Sequence, residues 1–392
     1  MPDSAERPTP DGVTLGVEEE FLLLDADTLL PAPRARDVLA RVTRSAPTTL
    51  STFQQELCTS EIEAATTVCT TLSELGEKIH SGRSSLARGA AGEHAHLVSV
   101  GEPVTRAPEP GITATDHYLR MRERYTGAVT DLELCGCHVH VGVHDLETRV
   151  AVLNHLTPWL PTLLALTTNS RYRYGADSGF HSWRMMAHTR LPAAGMPLFH
   201  ADAASYYAVL DRLVDCGMLD EGQGGLRVAR LSSRFPTVEV RVGDAAATVG
   251  EAVLYAGLTR ALVRTALTDL AAGRTAQRFD HWLLNCALWA AARHGLAGEA
   301  VDPWQQRAVP ASAMLDALLL HVRDALDESG DTAVIQSLVA GLRERGTGST
   351  RQVAAAASGG LPAVLSLLIE QTVADVPESL SGSGRPPRRP SA

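Results

Sequence analysis

"GCHVHVGV", residues 136–143, sets two histidines one residue apart in an apolar run bounded by glycines. Alternate residues of a β-strand project to the same face, so His138 and His140 point together while Val139, Val141 and Val143 point the other way. Such a strand either buries its valines and binds something with its histidines, or holds an ordinary satisfied pair. The neighbouring strands decide between the two.

Three further segments share the period. "TLGVEEEFLLLD" (14–25) puts Glu18 and Glu20 on one face and Glu19 on the other. In "QQELCTSEIEAAT" (54–66), Glu61 and Glu63 share a face, and Glu56 falls on the opposite one unless a bulge intervenes. "RFPTVEVRVGD" (234–244) alternates Glu239 and Arg241 with Val238, Val240 and Val242. Each alone is an ordinary amphipathic strand with a solvated face. Together they present Glu, His and Arg at period two with hardly any Lys, Ser or Thr, and carboxylates crowded in this way repel one another unless cations intervene. Glu with imidazole suits Mg²⁺ or Mn²⁺, and an adjacent Arg241 complements a phosphate bidentately.

The 392 residues are 45% hydrophobic and 20% charged, the balance of a globular protein. A net charge of −10, with no Lys/Arg cluster before the last residues, argues against nucleic acid and for small-molecule partners. The six cysteines match no zinc or thioredoxin spacing, and the polar start "MPDSAERPTPDG" is no signal peptide, so reduced thiols and a cytoplasmic location are expected. The most apolar run, 156–169, contains two prolines and is too short for a bilayer, so no membrane span is expected.

Alternation predicts strands at 13–24, 50–64, 94–101, 132–143 and 226–243. Helical periodicity appears at 70–91, 147–168, 203–216 and 249–272, then almost continuously over 278–374. The pattern predicts an α+β fold: helices cover one face of a largely antiparallel sheet, ligands take the other, and the C-terminal third is helical. A single catalytic domain is expected over 13–376, with disordered Ser/Gly/Pro-containing ends at 1–12 and 377–392.

The segment 169–197 is loop-rich, and its Arg184 and Arg190 are candidates to hold a carboxylate or phosphate; arginines stacked on Tyr172 and Trp183 are the alternative. No phosphate-binding P-loop or dinucleotide fingerprint occurs. "EGQGGLRVAR" (221–230) is glycine-rich but lacks the lysine and leads into a strand, so any nucleotide is bound by metals and arginines, Arg230 among them. There is no nucleophile elbow, and Cys135 or Cys137 as a nucleophile would need an oriented base.

In this order and at this spacing, "TLGVEEEF", "EL…SEIEAAT.VC", "CHVHVGV", "LLALTTNSRYRYGADSGFHSWR" and "PTVEVRVGD" resemble the glutamate–cysteine ligase type 2 family, the YbdK-like carboxylate–amine ligases. The resemblance covers about residues 13–270. It implies a glutamine synthetase/guanidino kinase-like fold, a curved antiparallel sheet backed by helices. It also implies ATP- and Mg²⁺- (or Mn²⁺-) dependent joining of a carboxylic acid to an amine through an acyl phosphate. The usual pair is L-glutamate with L-cysteine, giving γ-glutamylcysteine, an activity that is weak in members like this one.

Carried over by position, Glu18, Glu20, Glu56, His140 and Glu239 are implied metal ligands. Glu63, Arg184 and Arg241 are implied catalytic groups, and His138 and Asp177 implied ATP or substrate ligands; Arg190 and Arg230 are expected ATP or substrate ligands beside them. The family loop more often reads N-S-P-F-W with a basic residue before the aspartate, where this chain has Arg171, Tyr172, Arg173 and Ala176; the acid and amine are therefore open. A carboxylate or guanidino kinase, or a silent ATP or metabolite binder, remains a rival on the same fold. Assembly into a homodimer is left open.

Overall fold

The computed structural model describes residues 10–45, 50–106, 111–222 and 224–380. In chain order the first part forms β1 (Leu15–Asp25), α1 (Ala35–Ser45), β2 (Ser51–Gln55), β3 (Glu61–Thr66), α2 (Leu72–Gly92), β4 (Ala95–Val98), α3 (Asp116–Tyr125) and β5 (Gly136–Gly142). Next come α4 (Leu146–Leu156), α5 (Leu160–Thr167), a short ladder of β6 (Tyr172–Arg173) and β7 (Ala176–Asp177), α6 (Trp183–His188), α7 (Ala203–Asp215), β8 (Ala229–Leu231) and β9 (Thr237–Asp244). The remainder is α8 (Val249–Ala271), α9 (His281–His294), a hairpin of β10 (Glu299–Asp302) and β11 (Arg307–Pro310), α10 (Ala311–His321), α11 (Arg323–Ser329), α12 (Thr332–Arg345) and α13 (Gly348–Thr372).

The main sheet runs β2-β3-β1-β5-β9-β8, every neighbour antiparallel, with β4 pairing the far end of β1. Period-two alternation sorts its faces. Leu15, Val17, Val139, Val141, Val238, Val240 and Val242 are buried in one core with α8. That helix is apolar nearly all round, as a central core helix must be, and starts at Thr248, whose hydroxyl accepts from the Glu251 amide. Glu19 also points to the helix side, where Arg83 of α2 meets its carboxylate at 2.6 and 3.1 Å and donates to the Ala246 carbonyl. The other face is left to the polar residues.

Several sequence expectations are corrected. The strand expected at 50–64 is a hairpin, because the chain reverses where the Glu61 amide donates to the Cys58 carbonyl and the Glu61 carboxylate accepts from the Cys58 amide. The strand at 226–243 is likewise split, turning at Ser232–Pro236. The helical run over 278–374 is interrupted by β10 and β11, whose turn is fixed by Asp302 accepting from the Trp304 and Gln305 amides. The loop-rich segment holds the short helix α6, and α1 and α3 went unpredicted.

The ends expected to be disordered lie mostly outside the described residues. Within them, the Gly12 amide donates to the Gly142 carbonyl, and Leu380 packs into the main core. The apolar run around 156–169 belongs to a helical stretch, Leu146–Thr167, longer than expected but 89% buried in the protein. A second apolar stretch, Thr332–Thr372, is broken after Arg345 and again at the non-helical Gly359 and Gly360. Each unbroken piece is shorter than the roughly 20 residues a span needs.

Candidate metal and substrate centre

The sheet face turned away from α8 gathers the polar residues of β1, β3, β5 and β9. Across the ladders Glu20 opposes Glu63, Glu18 opposes His138, and His140 opposes Glu239. Glu56 follows β2 in step with Gln54, which itself pairs with Glu63, so the hairpin places Glu56 on the front face without a bulge. The ligand atoms of Glu18, His140 and Glu239, of Glu18, Glu63 and His138, and of Glu20, Glu56 and Glu63 lie within 4.8 Å of one another in each group.

A register shift completes the arrangement. Between Cys137 and Val139, the single His138 faces both Arg241 and Val242 of β9. The extra residue brings Asp244 round to the front face, opposite Gly136. There its carboxylate accepts from the Asn169 amide at 2.8 Å and from the Ser170 and Ser182 hydroxyls at 2.7 Å, with the Arg184 guanidinium 4.0 Å away. Ser182 also caps α6, so the loop that delivers Arg184 is pinned to the sheet, and Arg184 donates to the Arg241 carbonyl at 3.4 Å. A Cβ on Gly136 would collide with the Arg184 guanidinium and the His138 ring. The glycine that opens "GCHVHVGV" is the gap through which Arg184 reaches.

Charge on this floor is uneven. Burial works against ionised Glu239, but Arg241, Arg230 and His140 outweigh it and hold the carboxyl well below its usual range; Arg230 grips it at 2.9 and 3.0 Å. Glu18 is also held low, because the adjacent His138 and His140 outweigh burial. Burial and then the Glu20 charge push Glu56 up to about 7; burial, then Glu56 and Glu18, raise Glu63. Burial and Arg241 lower His138, keeping its imidazole neutral. His138 and His140 are 2% and 8% exposed, yet among the described residues neither Nε2 has a hydrogen-bond partner, although Glu20 and Glu18 oxygens lie 3.6 and 3.4 Å away. Unpartnered imidazole nitrogens and carboxylates that repel one another fit a hard divalent cation, which satisfies both.

This floor lines a chamber of about 180 Å³. It opens through Glu20, Glu56, His138, Arg230 and Arg241 into one of about 990 Å³, apolar at Leu57, Met121, Leu132 and Leu191 and cationic at Arg184, Arg230 and Arg241. A space at the upper end of the usual ligand range has room for more than one reactant.

Of the residues singled out from sequence, Glu18, Glu20, Glu56, Glu63, His138, His140, Arg184, Arg230, Glu239 and Arg241 line these chambers. Asp177 and Arg190 do not. Asp177 pairs within the loop with Arg171 at 2.6 Å, and Arg190 reaches out of it to Asp131, ahead of β5, at 2.8 Å. Sequence reasoning missed Gln54, which donates to Glu63 at 2.7 Å, Tyr118, which donates to Glu56 at 2.9 Å, and the pocket histidine His188. Gln54 had a signal, its period-two step from Glu56; Tyr118 and His188 had none.

The family model for glutamate–cysteine ligase family 2 matches residues 14–365. A Saccharopolyspora erythraea protein provisionally named glutamate–cysteine ligase 2-2 is 44% identical over 374 residues, covering 95% of each chain. The fold is similar to that of glutamate–cysteine ligase from Francisella tularensis, crystallised with AMP, at a TM-score of 0.63 and 12% identity over 95% of this chain and 91% of that one. It is also similar to a bifunctional glutathione synthetase from Pasteurella multocida, at 0.64 and 14% identity over 92% of this chain and 52% of that one. With the match running from the first strand to the last helix, the chain belongs to glutamate–cysteine ligase family 2.

Proposed function

We propose that the protein is an ATP- and Mg²⁺- (or Mn²⁺-) dependent carboxylate–amine ligase that forms an amide through an acyl phosphate, with L-glutamate and L-cysteine as the default pair. The carrying observation is the front face itself: five carboxylates, Glu18, Glu20, Glu56, Glu63 and Glu239, around two buried imidazoles whose Nε2 atoms have no hydrogen-bond partner among the described residues. Membership of the family and the names of its relatives support the same reading.

The acid's carboxylate oxygen attacks the γ-phosphorus of ATP, the bond to the β,γ-bridging oxygen breaks, and ADP leaves. The amine nitrogen then attacks the acyl carbon, the carbon–oxygen bond to phosphate breaks, and inorganic phosphate leaves as the nitrogen gives up a proton. Both steps bring anions together, so positioning and charge neutralisation carry the catalysis. Divalent cations bound by Glu18, Glu20, Glu56, Glu63, His140 and Glu239 would neutralise phosphate oxygens. Arg241 and Arg184 face the acyl phosphate, Arg184 being held in place by the loop that Asp244 anchors. His138, kept neutral, orients a phosphate or substrate oxygen.

A screen of acid and amine pairs with Mg²⁺ and ATP tests this. ADP release that needs both reactants, with the amide identified by mass and Glu239→Gln inactive, is the expected result. Folded protein that releases no ADP across a broad panel overturns it.

A further inference from the structure

None of the ten residues of α3 is buried. A helix this short is marginal by its own hydrogen bonds, so it depends on what covers its apolar side. That side is Tyr118, Met121 and Tyr125, spaced i, i+3 and i+7 and therefore on one stripe. All three are half-buried, and all three line the large chamber. The Tyr118 hydroxyl donates to Glu56 at 2.9 Å and the Tyr125 hydroxyl to the Met218 carbonyl at 2.7 Å, which fixes both rings.

The stripe packs against an apolar cluster separate from the main core and built on Leu57, Leu132 and Leu191. These three line the chamber as well, so helix and cluster together turn an apolar wall to the cavity. Charge is gathered elsewhere: Arg230 and Arg241 stand where the acidic floor opens, Arg184 lies beside Arg241, and Arg124 of α3 is taken by Asp220. The side chain of cysteine, one carbon and a sulfur, would leave most of this wall uncovered.

The wall begins at the acidic side of the reacting centre, because Tyr118 is bonded to Glu56. A carboxylic acid is an anion drawn to Arg184 and Arg241, whereas a primary amine travels as ammonium and is drawn to Glu20 and Glu56. Resting on the ligase reading, we propose that the amine reactant carries an apolar chain or ring, seated along Tyr118, Met121 and Tyr125 with its nitrogen towards Glu56. The seven-residue step from Tyr118 to Tyr125 rises about 10 Å, which sets the length of chain that the stripe covers. Each methylene laid on it leaves water and covers apolar wall.

Steady-state ADP release by the full chain tests this, with Mg²⁺, ATP, L-glutamate or the acid that the screen selects, and the straight-chain amines from propylamine to hexylamine. Their shared basicity keeps the ammonium fraction constant along the series. kcat/KM is expected to rise about threefold per methylene, mainly through KM. Met121→Gln keeps the side-chain length and removes its apolar character at a half-buried position; with folding checked by circular dichroism, it is expected to lower the hexylamine-to-propylamine ratio of kcat/KM about threefold or more. Rates that are flat or fall with chain length, a ratio unmoved in Met121→Gln, or ADP release with L-cysteine and none with the alkylamines overturn the apolar seat while the ligase reading stands. A gain found only when the acid is lengthened, from butanoate to heptanoate, gives the wall to the other reactant and overturns the seat in the same way. Folded protein that releases ADP with no pair of acid and amine overturns both.

Discussion

Glu19 lies between Glu18 and Glu20 in one strand, and the two faces they belong to treat charge in opposite ways. On the helix side Glu19 is held by two nitrogens of Arg83, which also donates to main-chain carbonyls, so the charge is complete within the protein. On the open side Glu20, Glu56 and Glu63 crowd together, and the His138 and His140 Nε2 atoms have no hydrogen-bond partner among the described residues. One face spends its charge on stability; the other holds it for something brought from outside.

The contrast is broken most forcefully from the back. Arg83→Ala strands Glu19 in the core and should cost about 3–5 kcal/mol by urea unfolding, with divalent-cation affinity unchanged. On the front, Glu63→Gln should do the reverse: Mn²⁺ affinity by calorimetry falls about 10-fold or more, while unfolding stability in chelator is unchanged or higher, because a repelling carboxyl is gone. If Glu63→Gln lost stability as Arg83→Ala does, the two faces would be alike.

His140→Ala and His138→Ala sharpen the division within the front. His140 shares its ligand group with Glu18 and Glu239, so His140→Ala should raise the Mg²⁺ concentration needed for half-maximal ADP release about 10-fold. His138→Ala should lower turnover with little change in that concentration. Equal shifts for both would erase the distinction, which is already weakened by His138 falling within 4.8 Å of Glu18 and Glu63.

The smallest effect is in pH. Glu56, pushed from 4.5 to about 7, binds its proton more tightly folded than unfolded. Its contribution to stability is whole below the unfolded value and is lost as pH rises through the folded one. A cation displaces that proton, so the rise in Tm on adding Mg²⁺ should be larger at about pH 8 than at about pH 5.5, by thermal denaturation with and without chelator. A gain independent of pH would remove Glu56 from the cation site.

Much of the front face was legible because a strand's period of two is exact: Glu18 with Glu20, His138 with His140, and Glu239 with Arg241 needed only alternation. Glu56 was read onto the wrong face because the reversal at Cys58–Glu61 restarts the alternation. Asp244 was quoted and passed over, since only the register shift in β9 turns it to the front. Asp177 and Arg190 were drawn in by their position in an arginine-rich loop, where no periodicity reports direction; Asp177 pairs with Arg171 of that loop and Arg190 with Asp131 ahead of β5. Tyr118 comes from α3, which is distant in sequence and nearly all polar at its start, so nothing local announced a cavity wall.

The central claim is that the front face activates a carboxylate as its phosphate, and oxygen isotope transfer tests it most directly. Glutamate labelled with ¹⁸O in its γ-carboxyl group is turned over with cysteine, or with the acid and amine that the screen selects, and the released phosphate is analysed by mass spectrometry. One ¹⁸O per phosphate is predicted, because the oxygen that attacks the γ-phosphorus leaves with it. Amide formed alongside unlabelled phosphate would contradict the account.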